Sequence, residues 1–183
     1  ISITEIAETS FPEISIDTTG KLQEIEGFGA ALTGSSAYVI NKKMSAAQRQ
    51  SLLRELFDPE EGIGITYLRM TIGASDFSLS DYTYDDMPVG ETDVTLSNFS
   101  IAKDREDVVP VFKEILAIAP DIRIMGSPWS APAWMKTNED LSGGKLKPEA
   151  YDVYARYFVE YIKAYEAEGI AIDAITPQNE PLH

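Results

Sequence analysis

The chain's 183 residues are enough for one domain with a sizeable core, and its 44% hydrophobic and 25% charged residues are ordinary for a globular protein. No apolar run approaches the roughly 20 residues of a membrane span, no signal peptide opens the sequence, and the absence of cysteine excludes disulfides, thiolate metal sites and a cysteine nucleophile. One histidine, His183, argues against a Ser-His-Asp triad or a multi-histidine metal site, and a net charge of −15 argues against nucleic acid and for a neutral substrate.

Taken in chain order, Ile14 to Asp17 reads as a short strand closed by Thr18, Thr19 and Gly20, and Leu22 to Phe28 as a second that runs into Gly29 and Ala30. Ser45 and Gln48 make a capping box, after which Leu52, Leu53, Leu56 and Phe57 follow at helical spacing until Asp58-Pro59. Ile63 to Ile72 is strand-like. Val108 to Ile118 is a helix, with Pro110 tolerable only near its first turn and Pro120 beyond its end. Ile122 to Met125 is a strand. Pro148 opens a helix carrying Tyr154, Tyr157, Phe158, Tyr161, Ile162 and Tyr165 on one face, with Gly169 as its stop, and Ile170 to Thr176 is the final strand.

From Leu22 onward the pattern is β-α-β-α-β-α-β with strands that do not alternate, as expected for a parallel α/β sheet buried on both faces. Four such strands suit a small open sheet or half of an eight-stranded barrel, whose full length is about 250 residues. Polar residues collect after each strand: Thr33, then Ser75-Asp76-Phe77, then Ser127-Pro128-Trp129-Ser130, then Asn179-Glu180. In parallel folds that edge is where ligands bind. The connection from Gly73 to about Ser100 is long, and its Phe77, Tyr82, Tyr84 and Phe99 suit an ordered wall.

Glu180 is the leading candidate for chemistry. A carboxyl at the end of a buried strand is expected to be partly desolvated, the condition under which it holds a proton for a leaving group. Asn179 beside it would hydrogen-bond a substrate hydroxyl; a strand-end cap is the alternative for both. Trp129 offers an apolar plate with one N–H donor for a sugar ring, whereas Trp134 reads as packing. Asp76 alone reads as a turn cap, although its carboxylate suits two vicinal hydroxyls. Arg69, inside a strand, calls for a carboxylate partner, which is expected beyond His183.

Together, Glu26-Gly27-Phe28-Gly29-Ala30-Ala31-Leu32-Thr33, Tyr67-Leu68-Arg69-Met70, Ala74-Ser75-Asp76-Phe77-Ser78, Tyr82-Thr83-Tyr84, the segment Ser127 to Asn138 and Asn179-Glu180-Pro181 resemble glycoside hydrolase family 30, which includes glucosylceramidases and β-1,6-glucanases. The resemblance runs from about Gln23 to the end. It implies a (β/α)8 TIM barrel beside a small β-sandwich, with residues 1–20 as a sandwich strand and 21–183 as barrel strands one to four. It further implies a retaining β-glycosidase with Glu180 as acid/base. Asp76, Trp129 and Asn179 would hold the glucosyl unit, Phe77 and Tyr84 would add to the wall, and His183 would meet a second sugar. Arg69 would orient the nucleophile, a glutamate after strand seven in the missing C-terminal half. The partner is then a β-glucoside or β-glucan, β-1,6-linked glucan before glucosylceramide. No cofactor, metal, nucleic acid or membrane span is implied. The bacterial glucanase branch, which the Asn-Glu-Pro-Leu-His ending is most similar to, implies a secreted, periplasmic or cell-surface protein.

Overall fold

The computed structural model describes residues 12, 14, 15 and 17–181. Four strands, β1 (Gly29–Leu32), β2 (Tyr67–Ile72), β3 (Arg123–Pro128) and β4 (Ala174–Ile175), form one parallel sheet in the order β1-β2-β3-β4. Helices α1 (Gly34–Tyr38) and α2 (Ala46–Phe57) lie between the first two strands, α3 (Val108–Ile118) between the next two, and α4 (Tyr151–Ala167) before β4. Strand order follows chain order without the reversal of a doubly wound sheet, so the architecture is that of the first half of a (β/α)8 barrel.

The helices form largely where capping and periodicity place them. Ser45 caps α2 by accepting from the Gln48 N–H while the Gln48 side chain accepts from the Ser45 N–H, which completes the capping box. At the other end of α2 the Glu55 and Leu56 carbonyls accept from the N–H groups of Ile63 and Ile65. That use of Ile63 and Ile65 shortens the strand expected from Ile63, which begins only at Tyr67. Helix α3 spans its expected residues, with Pro110 in the first turn where an intrahelical N–H is not required. A 3-10 turn, Pro148–Ala150, leads into α4, and Gly169 at φ +81° closes it, a conformation that favours glycine.

Two strands lie elsewhere than expected. Leu22 to Phe28 forms no strand: Leu22, Ile25 and Phe28 are exposed, and pairing begins where the Phe28 carbonyl accepts from Thr66 and Tyr67. Strand β1 is the small-residue run Gly29-Ala30-Ala31-Leu32, because a Cβ at Gly29 would overlap the Tyr67 carbonyl of β2. Of the expected strand Ile14 to Asp17, Ile16 lies outside the described residues, and Ile14, Ser15 and Asp17 join no strand. Strand β4 is two residues long because β3 alone pairs with it.

The faces of the sheet also differ from the expectation of burial on both sides. Leu68, Met70, Ile72 and Ile124 are buried in one core with Leu53 and Phe57 of α2, Val111, Phe112 and Ile115 of α3, and Tyr157, Tyr161 and Tyr165 of α4. Residues that alternate with them, Tyr67, Arg69 and Met125, are only half-buried, and Tyr67 and Arg69 line a 310 Å³ groove with Gly29 and Ala31. This second face is the inner, polar side of the half-barrel. Among the described residues no helix is long and apolar enough to cross a membrane.

Candidate active site

The long connection from β2 to α3 is ordered by buried polar groups. Asp104, 1% exposed, accepts hydrogen bonds from the hydroxyls of Tyr82, Tyr84 and Tyr165, each at 2.5 Å. Burial pushes its carboxyl above the ordinary value while the three phenols act in the opposite direction. Asp93 accepts from the N–H groups of Thr95 and Asn98 and from the Ser97 hydroxyl, which holds it well below the usual carboxylate range. The Asp85 carbonyl accepts from Trp134 Nε1 at 3.0 Å, joining this connection to the segment after β3. Trp134 is therefore a packing residue, as expected.

That scaffold determines which aromatic residues can face a ligand. Tyr84 is not one of them. It is 2% exposed, stacks between Tyr157 and Tyr161 at 6.0 and 6.1 Å, and spends its hydroxyl on Asp104, so it offers no surface to a sugar. Phe77, 65% exposed, remains available. The turn that presents it is held by Ser75 N–H donating to Ser78 Oγ, and by Ser35 N–H of α1 donating to the Phe77 carbonyl. Asp76 stands exposed on the same turn, its carboxylate without a hydrogen-bond partner among the described residues. Trp129 is half-buried just past β3.

The best-defined polar geometry lies across the ends of β2, β3 and β4. Arg69 Nη2 donates to Asn179 Oδ1 at 2.8 Å and to Ser127 Oγ at 3.0 Å. Asn179 is anchored by its backbone N–H on the Pro128 carbonyl at 3.1 Å, and its Nδ2 lies 3.5 Å from Glu180 Oε2. Among the described residues Arg69 forms no ion pair; its partners there are a neutral hydroxyl and a neutral amide, and the carboxylate expected as its partner is one beyond His183. Glu180 has φ +43°, left-handed and immediately before Pro181, a costly conformation for a residue with a Cβ. Among the described residues its carboxyl is exposed, since β4 is the last strand of the sheet and none of them covers its outer side. His183 lies outside the described residues.

Sequence reasoning missed Ser127 and Thr176, which complete this network: Thr176 Oγ1 donates to Ser127 Oγ at 2.7 Å. The available signal was a hydroxyl residue at the end of each of two otherwise apolar strands. Residue type alone could not show that the Ser127 hydroxyl meets both Arg69 and Thr176, since that depends on the register that pairs Thr71 with Ser127 and Gly126 with Ile175. Among the described residues no group of three or more His, Cys, Asp or Glu side chains could hold a metal ion.

The arrangement has known counterparts. Residues 25–183 match the glycosyl hydrolase family 30 TIM-barrel domain. Endo-1,6-beta-D-glucanase of Neurospora crassa is 41% identical over 178 residues, 93% of this chain and 36% of the fungal protein. Lysosomal acid glucosylceramidase of Mus musculus is 34% identical over 92% of this chain and 33% of its own length. The solved structure of an endo-beta-1,6-glucanase superposes with a TM-score of 0.80 at 41% identity, covering 91% of this chain and 37% of that one. The chain thus spans little more than a third of the relatives it matches. With the family domain matched over residues 25–183, on a parallel sheet with Asn179-Glu180 at the end of its fourth strand, the chain belongs to glycosyl hydrolase family 30.

Proposed function

We propose that this chain supplies the acid/base half of a retaining β-glycosidase that cleaves β-1,6-linked glucan. The observation that carries the reading is the placement of Asn179-Glu180 just past β4, with the Asn179 amide gripped by Arg69 of β2. Glu180 would protonate the glycosidic oxygen while a second carboxylate attacks the anomeric carbon, the C–O bond breaking as the glycosyl-enzyme bond forms. Glu180, now ionised, would then take a proton from the water that releases the sugar. This chemistry places the two carboxyls about 5–5.5 Å apart. The second carboxylate, a glutamate after strand seven, would come from the remaining four β/α units that complete the barrel, with Arg69 orienting it.

Asp76, Trp129, Phe77 and Asn179 would hold the glucosyl unit, and His183 a second sugar. Residues 1–20 would contribute a strand to an accessory β-sandwich. The identity of 41% to an endo-1,6-glucanase against 34% to a glucosylceramidase supports glucan over lipid, and the −15 charge disfavours an anionic membrane surface. A glucan outside the cell cannot cross a bilayer, so an enzyme that acts on it would be secreted, periplasmic or held at the cell surface.

The test is leaving-group dependence in the completed enzyme. Glu180→Ala should lose on the order of 10²–10⁴-fold on pustulan and gentiobiose, whose alkoxide needs a proton. A dinitrophenyl glucoside should still glycosylate the variant, with azide restoring turnover as β-glucosyl azide. Equal losses on both kinds of substrate would remove Glu180 from the acid role. Faster wild-type turnover of glucosylceramide in micelles than of pustulan would overturn the glucan assignment alone.

A further inference from the structure

We propose that the hydroxyls of Ser127 and Thr176 form a positioning relay that holds Arg69 and, through it, turns the Asn179 amide so that its NH2 group faces the substrate. A guanidinium only donates, so the Asn179 atom 2.8 Å from Arg69 Nη2 is the carbonyl oxygen and Nδ2 is the end left free. That amide orientation is therefore decided by where Arg69 stands.

Arg69 is a long side chain with many rotamers, and no carboxylate among the described residues fixes it. Its other anchor for Nη2 is Ser127 Oγ at 3.0 Å, on a residue 2% exposed. Ser127 Oγ also accepts from Thr176 Oγ1 at 2.7 Å, so both of its lone pairs are occupied by donors. Each hydroxyl sits on constrained backbone: Ser127 is in β3 opposite Thr71, and the Thr176 N–H donates to the Gly126 carbonyl at 2.9 Å. The strand frame thus fixes Thr176 and Ser127, these fix Arg69, and Arg69 fixes Asn179. Nδ2 then meets Glu180 Oε2 only at 3.5 Å, a loose contact that a sugar hydroxyl beside the acid would improve on.

The relay rests on the glycosidase reading above, with Asn179 donating to the 2-hydroxyl. In the completed enzyme, kcat/KM would be measured for 4-nitrophenyl β-glucoside and for its 2-deoxy analogue. Ser127→Ala and Thr176→Val should lose roughly tenfold on the glucoside and little on the 2-deoxy substrate, moving the ratio toward that of Asn179→Ala. Thr176→Ser, which keeps the hydroxyl, should restore the ratio. Simple destabilisation would lower both rates together. An unchanged ratio in the folded variants overturns the relay, and Thr176→Val alone decides if Ser127→Ala does not fold. Two controls separate the readings: wild-type enzyme with no turnover of the glucoside would sink the glycosidase reading, and Glu180→Gln at wild-type kcat would remove only Glu180 from the acid/base role.

Discussion

Replacing Asp85 with asparagine should make the protein more stable at neutral pH relative to acid pH. Asp85 is 1% exposed, and neither carboxyl oxygen has a hydrogen-bond partner among the described residues. Burial first, then the charge of Asp93, pushes its carboxyl from 3.8 up to about 6, and the nearby Trp134 N–H is spent on the Asp85 backbone carbonyl. Because the folded state holds this proton more tightly than the unfolded chain does, stability is fully present below the unfolded value near 3.8. It falls as pH rises and is lost once pH exceeds about 6. A gap of about two pH units, at about 1.4 kcal/mol each, corresponds to about 3 kcal/mol. Asp85→Asn removes the titration and keeps the size; any cost of the buried amide is the same at every pH, so only the pH dependence is compared. Denaturant unfolding of the completed protein and its Asp85→Asn variant at pH 4 and pH 7.5 is the assay. The wild type should lose about 2.5 kcal/mol relative to the variant across that interval, since pH 4 already lies just above 3.8. Parallel curves would show that the carboxyl is solvated and would refute the reasoning.

Other outcomes follow from the same connection and the site it presents. Asp104→Asn leaves at least one of three phenols, two of them buried, facing an NH2 donor, and should destabilise by about 3 kcal/mol or more in the same unfolding assay. Asp76→Ala and Trp129→Ala should lower kcat/KM for every β-glucoside tested; a loss confined to one linkage type would move that residue to the leaving-group side.

Much of the helical half of this molecule is written locally. The Ser45–Gln48 box, the apolar spacing of α2 and α3, Pro148 and Gly169 act within one or two turns, so their structural result can be read without the rest of the chain. The parallel α/β class and the candidate residues at the strand ends are legible for a similar reason, because strand-end polar residues stand out against apolar runs. Local pattern fails where pairing decides. Leu22 to Phe28 carries the larger apolar side chains, yet Gly29-Ala30-Ala31-Leu32 is the strand, because Gly29 lies too close to the Tyr67 carbonyl for a Cβ.

Tertiary structure alone decided what the polar residues do. Tyr84 lies among residues whose pattern suits a binding wall, but three phenols converging on Asp104 draw it into the core. Arg69 meets Ser127 and Asn179, 58 and 110 residues away along the chain, neither of which its charge singles out. Sequence spacing carries no information about such contacts. They are set by sheet register, which brings β2, β3 and the end of β4 side by side and turns Arg69, Ser127, Thr176 and Asn179 into one hydrogen-bonded network beside Glu180.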